Sequence, residues 1–240
     1  MIYKICPAVL LLILSFSPSK LFFSEAKNVK KAEIAAVIKT TSENNEETIY
    51  NSLNSNQFAL PKLESFTEAL KGFYLLKEKG LVSKNILTLI DFSMSSNSKR
   101  LWVIDLSTNT ILYNSLVAHG RNTGNEFASS FSNSAESYKS SLGFYATGEI
   151  YSGKHGKSLK LDGLEKGINS NARARAVVIH GAEYVSNSFI QNNKRLGRSL
   201  GCPAIPLELT DKIIQTIKDK SCLFIYFPSE SYKVASKLVS

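Results

Sequence analysis

Between residues 86 and 227 the chain is punctuated into short apolar runs separated by Gly, Ser, Asn and Asp, and no other feature constrains its fold so strongly. Ile86–Phe92, Arg100–Leu106, Ile111–Ala118, Phe144–Ser152, Ala176–His180 and Leu223–Phe227 are rich in β-branched and aromatic residues and too short for ordinary helices, so each reads as a strand. Upstream the period changes: Leu63, Phe66, Leu70, Phe73, Tyr74 and Leu76 recur at helical spacing, and Gly80 supplies a stop. This predicts a helix within residues 60–80 packed on the back of the sheet. A second, short helix is expected over Leu209–Lys218, with Thr210 and Asp211 near its start. Six or more strands with few helices define a mainly β domain, a mixed sheet or sandwich with one helix packed N-terminal to it.

The N-terminal quarter reads differently. Lys4, the apolar run Ile5–Phe16 and the small-x-small step Ser24-Glu25-Ala26 have the form of a secretory signal peptide over residues 1–26, with an uncleaved anchor as the alternative. Residues 27–58 are polar and poor in large apolar side chains, and are read as a flexible tether. Residues 59–240 then form one domain. The formal charge of +9 falls to +8 without Lys4, Lys20 and Glu25, so the exported chain stays basic. That charge favours association with polyanionic envelope surfaces. The basic residues are scattered rather than gathered among aromatics, and together with export this argues against nucleic acid. The expected location is the periplasm or cell envelope; oligomeric state is not encoded in any feature of the chain.

Two short signals carry chemistry. Val177-Val178-Ile179-His180-Gly181 is a buried strand ending in an imidazole at the rim of a sheet, and Ser199-Leu200-Gly201-Cys202-Pro203 holds a thiol in a tight turn. An imidazolium beside a thiol lowers the thiol pKa and yields a nucleophile for carbonyl carbon. Cys222 opens an apolar run and is read as a buried structural thiol, which leaves Cys202 free.

These two elements resemble the YkuD-type L,D-transpeptidases of bacterial cell walls, whose signature is a His-Gly step followed about twenty residues later by Ser/Thr-His-Gly-Cys. Ser199, Gly201 and Cys202 match; Leu200 and Ala204 stand where common members carry His and Arg. Val117–Gly124 and Ser140–Tyr145 resemble the segments that precede the site, so the likeness runs from about Asn85 to Phe227. It implies a YkuD-like fold and thioester acyl transfer on peptidoglycan stem peptides, with no metal or other cofactor, and acylation by carbapenems more readily than by penicillins. In that scheme Cys202 is nucleophile, His180 acid and base, and the Gly181 carbonyl orients the imidazole. The backbone N–H groups of Gly201 and Cys202 are the expected oxyanion donors. Ser199, Arg198, Arg195, His119, Arg121, Tyr145 and His155 are candidates for substrate contact, with Arg195 and Arg198 as stand-ins for the Arg absent at Ala204. The basic, Gly-rich stretch Tyr151–Leu159 lacks Walker spacing, and Gly153–Lys157 within it is read as a flexible loop beside the cleft.

Other readings stay open from sequence. With water as acceptor the same machinery is an L,D-carboxypeptidase or endopeptidase, and with a retired site the chain is a wall-binding protein. A zinc hydrolase would have His119, His155 and His180 to draw on, but no His-Glu-x-x-His occurs. Ser96-Asn97-Ser98-Lys99 fits Ser-x-x-Lys without the companion motifs of serine acyltransferases. His119 is expected to be structural or cleft-lining, with a second acid/base role or partnership with Cys202 as alternatives.

Overall fold

The structure is a computed structural model describing residues 45–154 and 156–239. The expected signal peptide, residues 27–44 of the expected tether, and His155 lie outside the described residues. Among the described residues eight strands are present: β1 (Ile86–Asp91), β2 (Leu101–Asp105), β3 (Thr110–Ser115), β4 (Gly143–Gly153), β5 (Gly156–Gly163), β6 (Val178–Gly181), β7 (Ala204–Ile205) and β8 (Cys222–Tyr226). They form one mixed sheet in the order β3-β2-β1-β8-β4-β5-β6-β7. Pairing is parallel for β1 with β8 and β6 with β7, and antiparallel elsewhere. The helices are α1 (residues 45–51), α2 (Leu63–Glu78), α3 (Asn187–Asn193), α4 (Leu207–Ile217) and α5 (Glu230–Ala235).

The core follows from the periodicities. β8 is buried along its whole length, as a central strand covered on both faces must be. Helix α2 turns Phe66, Ala69, Leu70, Phe73 and Leu76 inward and lies against β1 and β8, while Leu63 and Tyr74 face solvent. Gly72 permits this approach: a Cβ there would sit 2.0 Å from the Phe144 ring, which stacks on Phe224 at 4.1 Å between centroids. Helix α4 lies against β5 and β6 with Ile213, Ile214 and Ile217 buried, and so backs the strand that carries His180.

Each of the six expected runs contains a strand, but several segments differ from expectation, the unforeseen helices α3 and α5 among them. The expected loop Gly153–Lys157 is paired at both its ends. Gly153 pairs with Gly156, making the stretch the tip of a β4–β5 hairpin, and the polar/apolar alternation Lys157-Ser158-Leu159-Lys160-Leu161 continues as a strand. The two-residue strand β7 is too short to leave a periodic signal. The end of the segment read as tether is folded: Ile49, Tyr50 and Leu53 pack on the core, Tyr50 Oη donates to Pro61 O at 2.8 Å, and Asn54 bridges to Thr110. Two apolar residues of α1 and a third in the turn that follows it are enough to dock a chain whose overall composition looks like linker. At the other end, the buried Glu165 carboxylate accepts from Phe144 N, Tyr232 Oη and Ser236 Oγ, fastening α5 to β4.

Candidate active site

The candidate site forms where β6 meets the turn before β7. In the parallel β6/β7 register His180 is opposite Ala204 and Gly181 opposite Ile205. Two residues earlier in each segment, Val178 at the start of β6 lies beside Cys202 in the turn before β7. Val178 N–H donates to Cys202 Sγ at 3.5 Å, and the thiol points to Ala176 O at 3.7 Å. Ala176 holds a left-handed φ of 53°, a rare conformation for a residue with a side chain, and this kink aims its carbonyl at the sulfur. Strand pairing thus brings together two segments 22 residues apart.

The cysteine turn is stiff. Ser199 Oγ accepts from Gly201 N at 3.0 Å and donates to Cys202 O at 2.6 Å. Gly201 has φ +128°, and a Cβ there would sit 3.0 Å from Lys139 O. Ser140 Oγ donates to Gly201 O at 3.1 Å and accepts from Gly120 N at 3.1 Å, joining the turn to the 119–123 segment. The Gly201 N–H, expected as an oxyanion donor, is therefore engaged within its own turn, and Ser199 acts as the brace of that turn.

His180 is buried, and its Nδ1 lies 3.0 Å from Gly181 O. A carbonyl only accepts, so Nδ1 carries the proton and the basic lone pair of the neutral ring is on Nε2. Burial pushes the Cys202 thiol above the ordinary cysteine value, while Val178 N–H and the charge of Arg175 pull it down. Desolvation is the largest of these influences on the sulfur.

Two neighbours of the thiol went unnoticed in the sequence. Arg175 donates to Ser132 O, Ser141 Oγ, Ser137 Oγ and Lys139 O, so it anchors the 132–141 loop and places a positive charge near the sulfur. Tyr184 is pushed up to about 12, first by burial and then by the charge of Cys202. The signal for Arg175 is its place, just upstream of the strand that carries His180.

The other candidates are dispersed. Tyr145 is fully buried in the core with its hydroxyl on Ser141 O. His119 is buried too: Arg100 Nη2 donates to its Nδ1 at 2.9 Å, its Nε2 meets Gly124 O at 3.3 Å, and Phe92 packs edge-on. With both ring nitrogens engaged, its contribution to the site is through its backbone, whose carbonyl accepts from Ser199 N at 3.0 Å. Arg198 Nη1 contacts Arg121 O, Gly124 O and Asn125 Oδ1, so it clamps the 121–125 loop; Arg195 Nη1 donates to Leu196 O. Arg121 is exposed and stacks on Tyr138 at 4.1 Å. Leu200 is 62% exposed beside the turn, while Ala204 is fully buried. Among the described residues no cluster of three or more His, Cys, Asp or Glu could hold a metal ion.

Known proteins bear on this arrangement. The family described as the L,D-transpeptidase catalytic domain (YkuD_2) matches residues 59–226, and the chain belongs to that family. No curated protein sequence matches it. Solved structures similar to it include an L,D-transpeptidase from Mycobacterium smegmatis (8% identity, 60% of this chain and 59% of that one, TM-score 0.37). Another is a mutant of the helical cell shape determining protein Pgp2 from Campylobacter jejuni (15% identity, 72% and 61%, TM-score 0.41). A third is Mycobacterium tuberculosis L,D-transpeptidase 1 (7% identity, 60% and 63%, TM-score 0.35). The chain spans about 60% of the length of these three structures.

Proposed function

We propose that this protein is an exported cysteine acyltransferase that cross-links peptidoglycan stem peptides by L,D-transpeptidation through a thioester on Cys202. Membership of the L,D-transpeptidase catalytic-domain family supports the reaction type. The observation that carries the assignment to particular residues is the seat of the sulfur: Cys202 Sγ rests on Val178 N–H, two residues before His180 on the same strand.

A neutral thiol needs a base. His180 Nε2 takes the thiol proton as sulfur attacks the carbonyl between the L- and D-centres of the stem; the S–C bond forms, the C–N bond breaks, and the imidazolium returns the proton to the departing amine. An amine of a second stem then attacks the thioester, gives its proton to His180 and releases the thiolate, which is reprotonated. The Cys202 N–H is the donor we assign to the oxyanion, since Gly201 N–H is engaged by Ser199. Arg175 keeps the loop over the turn in place and its positive charge favours the transient thiolate. The segment 1–26 supplies export, and the basic charge supplies attraction to the wall.

Intact-mass analysis of the exported chain and of Cys202→Ser, incubated with tetrapeptide muropeptides and separately with a carbapenem, tests this reading. An adduct on the wild type alone, with cross-linked muropeptides in the products, supports it. Shortened stems without cross-links would show water as the acceptor and make the protein a carboxypeptidase or endopeptidase. No adduct and no product would indicate a wall-binding protein with a retired site.

A further inference from the structure

A cavity of about 300 Å³ opens against the two residues that seat the sulfur, Ala176 and Val178, and its walls also include Tyr151, Lys160 and Arg173. Register explains the neighbourhood. Lys160 is the cross-strand partner of Val178, and Ser158 that of His180. Opposed residues share a face of a sheet, as do residues two apart on a strand, so Lys160 stands on the His180 face one strand away.

The polarity of the wall is one-sided. Both of its titratable side chains that carry charge at neutral pH are cations, and their side chains are 38% and 44% exposed. Their counterions hold them from elsewhere. Lys160 Nζ donates to Glu149 Oε1 at 2.8 Å, Arg173 Nη1 and Nη2 reach Glu149 at 3.1 and 3.2 Å, and Arg173 Nη2 reaches Asp162 Oδ2 at 2.8 Å with Nε also on Asp162. Glu149 and Asp162 line the adjoining cleft beside Asp219 and are not part of this cavity's wall. The Tyr151 ring lies 5.5 Å below Lys160 Nζ and gives the cavity an apolar side. An ammonium and a guanidinium braced by acids, next to a reactive thiol, are suited to a carboxylate on a short carbon arm.

We propose that Lys160 and Arg173 form a subsite that reads the carboxylate of the amine component, that is, of an amine whose own carbon bears a free carboxylate. This inference rests on the acyl-transfer reading above. In that reaction the amine that leaves when the S–C bond forms and the amine that enters when it breaks exchange protons with the same imidazole, so both pass through one locus beside the sulfur. A single carboxylate site there serves departing and arriving amino acids alike.

The test is a competition on the full exported chain acylated at Cys202 by a tetrapeptide donor, with D-alanine and D-alaninamide as paired acceptors and product ratios read by mass spectrometry. The wild type favours the free acid by about tenfold, the scale of two half-exposed charge contacts. Lys160→Gln and Arg173→Gln each lower the ratio at least about threefold, and the double change brings it near one. Because the ratio is internal to each sample, poor folding of a variant does not mimic the result. Equal use of acid and amide by the wild type, or a preference that survives both substitutions, would overturn the subsite alone. Failure of Cys202 to acylate would overturn the acyl-transfer reading and the subsite with it.

Discussion

The chain carries the same dipeptide twice, His119-Gly120 in the segment after β3 and His180-Gly181 at the end of β6, and the two imidazoles live in different chemical worlds. His119 is wedged between Phe92 and the fully buried Arg100, whose guanidinium occupies the Nδ1 lone pair. Burial first, and the Arg100 charge second, pull it down to about 4, so it is a neutral packing element at physiological pH. His180 instead gives Nδ1–H to the next carbonyl, which puts its basic nitrogen on the other side of the ring, on the strand that seats the cysteine. A motif names a residue type and its next neighbour; the surrounding groups decide how each imidazole is held.

Four experiments sharpen or break this contrast. The largest effect is expected at His180. His180→Gln should lower Cys202 acylation about 10²–10⁴-fold, the usual scale for a lost acid/base group, with little change in melting temperature. His119→Gln should do the reverse, lowering stability while the acylation rate per folded molecule stays within severalfold. Equal losses of rate in both variants would end the division of labour.

The second effect is on acid stability. The folded value of His119, about 4, lies below its unfolded value near 6.5, so between these pH values the unfolded chain binds more protons than the folded one. The contribution is fully present above about pH 6.5 and is lost as pH falls through about 4, amounting to something on the order of 3 kcal/mol. Urea melts at pH 7 and 4.5 should show this slope in the wild type, and its flattening in His119→Gln; an unchanged slope would show that another group carries it.

The third lies in the turn. Gly201→Ala forces a side chain into φ +128° against Lys139 O and should cost about 1–3 kcal/mol, read by thermal melting, with slower acylation as the sulfur shifts. The smallest is Tyr184→Phe. If the hydroxyl only lines the thiol's seat, acylation should change by less than about threefold; a drop near tenfold, about 1.4 kcal/mol, would make it a working member of the site.

Legibility of the fold tracked the length of each signal. Helix α2 and the longer strands announced themselves because period and punctuation are local properties that each residue imposes on its neighbours. β5 was obscured because Gly153, Gly156 and the basic residues around them look like loop, although the alternation from Lys157 to Leu161 was there to be read. The docked segment 45–58 was obscured for the opposite reason: its composition is polar, and a few side chains, Ile49, Tyr50 and Leu53, do the anchoring.

For the site, residue types and their spacing alone marked out two candidate elements, the His-Gly strand end and the Gly-Cys-Pro turn, and through them the family. It also determined that Cys222 belongs to an apolar run, where the structure buries it completely. Tertiary structure alone decided that Val178 N–H seats the sulfur, that Arg175 ties down the loop beside it, that His119 answers to Arg100, and that Lys160 stands on the His180 face. The physical reason is range. Propensity, capping and turn chemistry act within a few residues, whereas hydrogen-bond partners, desolvation and charge proximity depend on which distant segments the sheet register sets side by side.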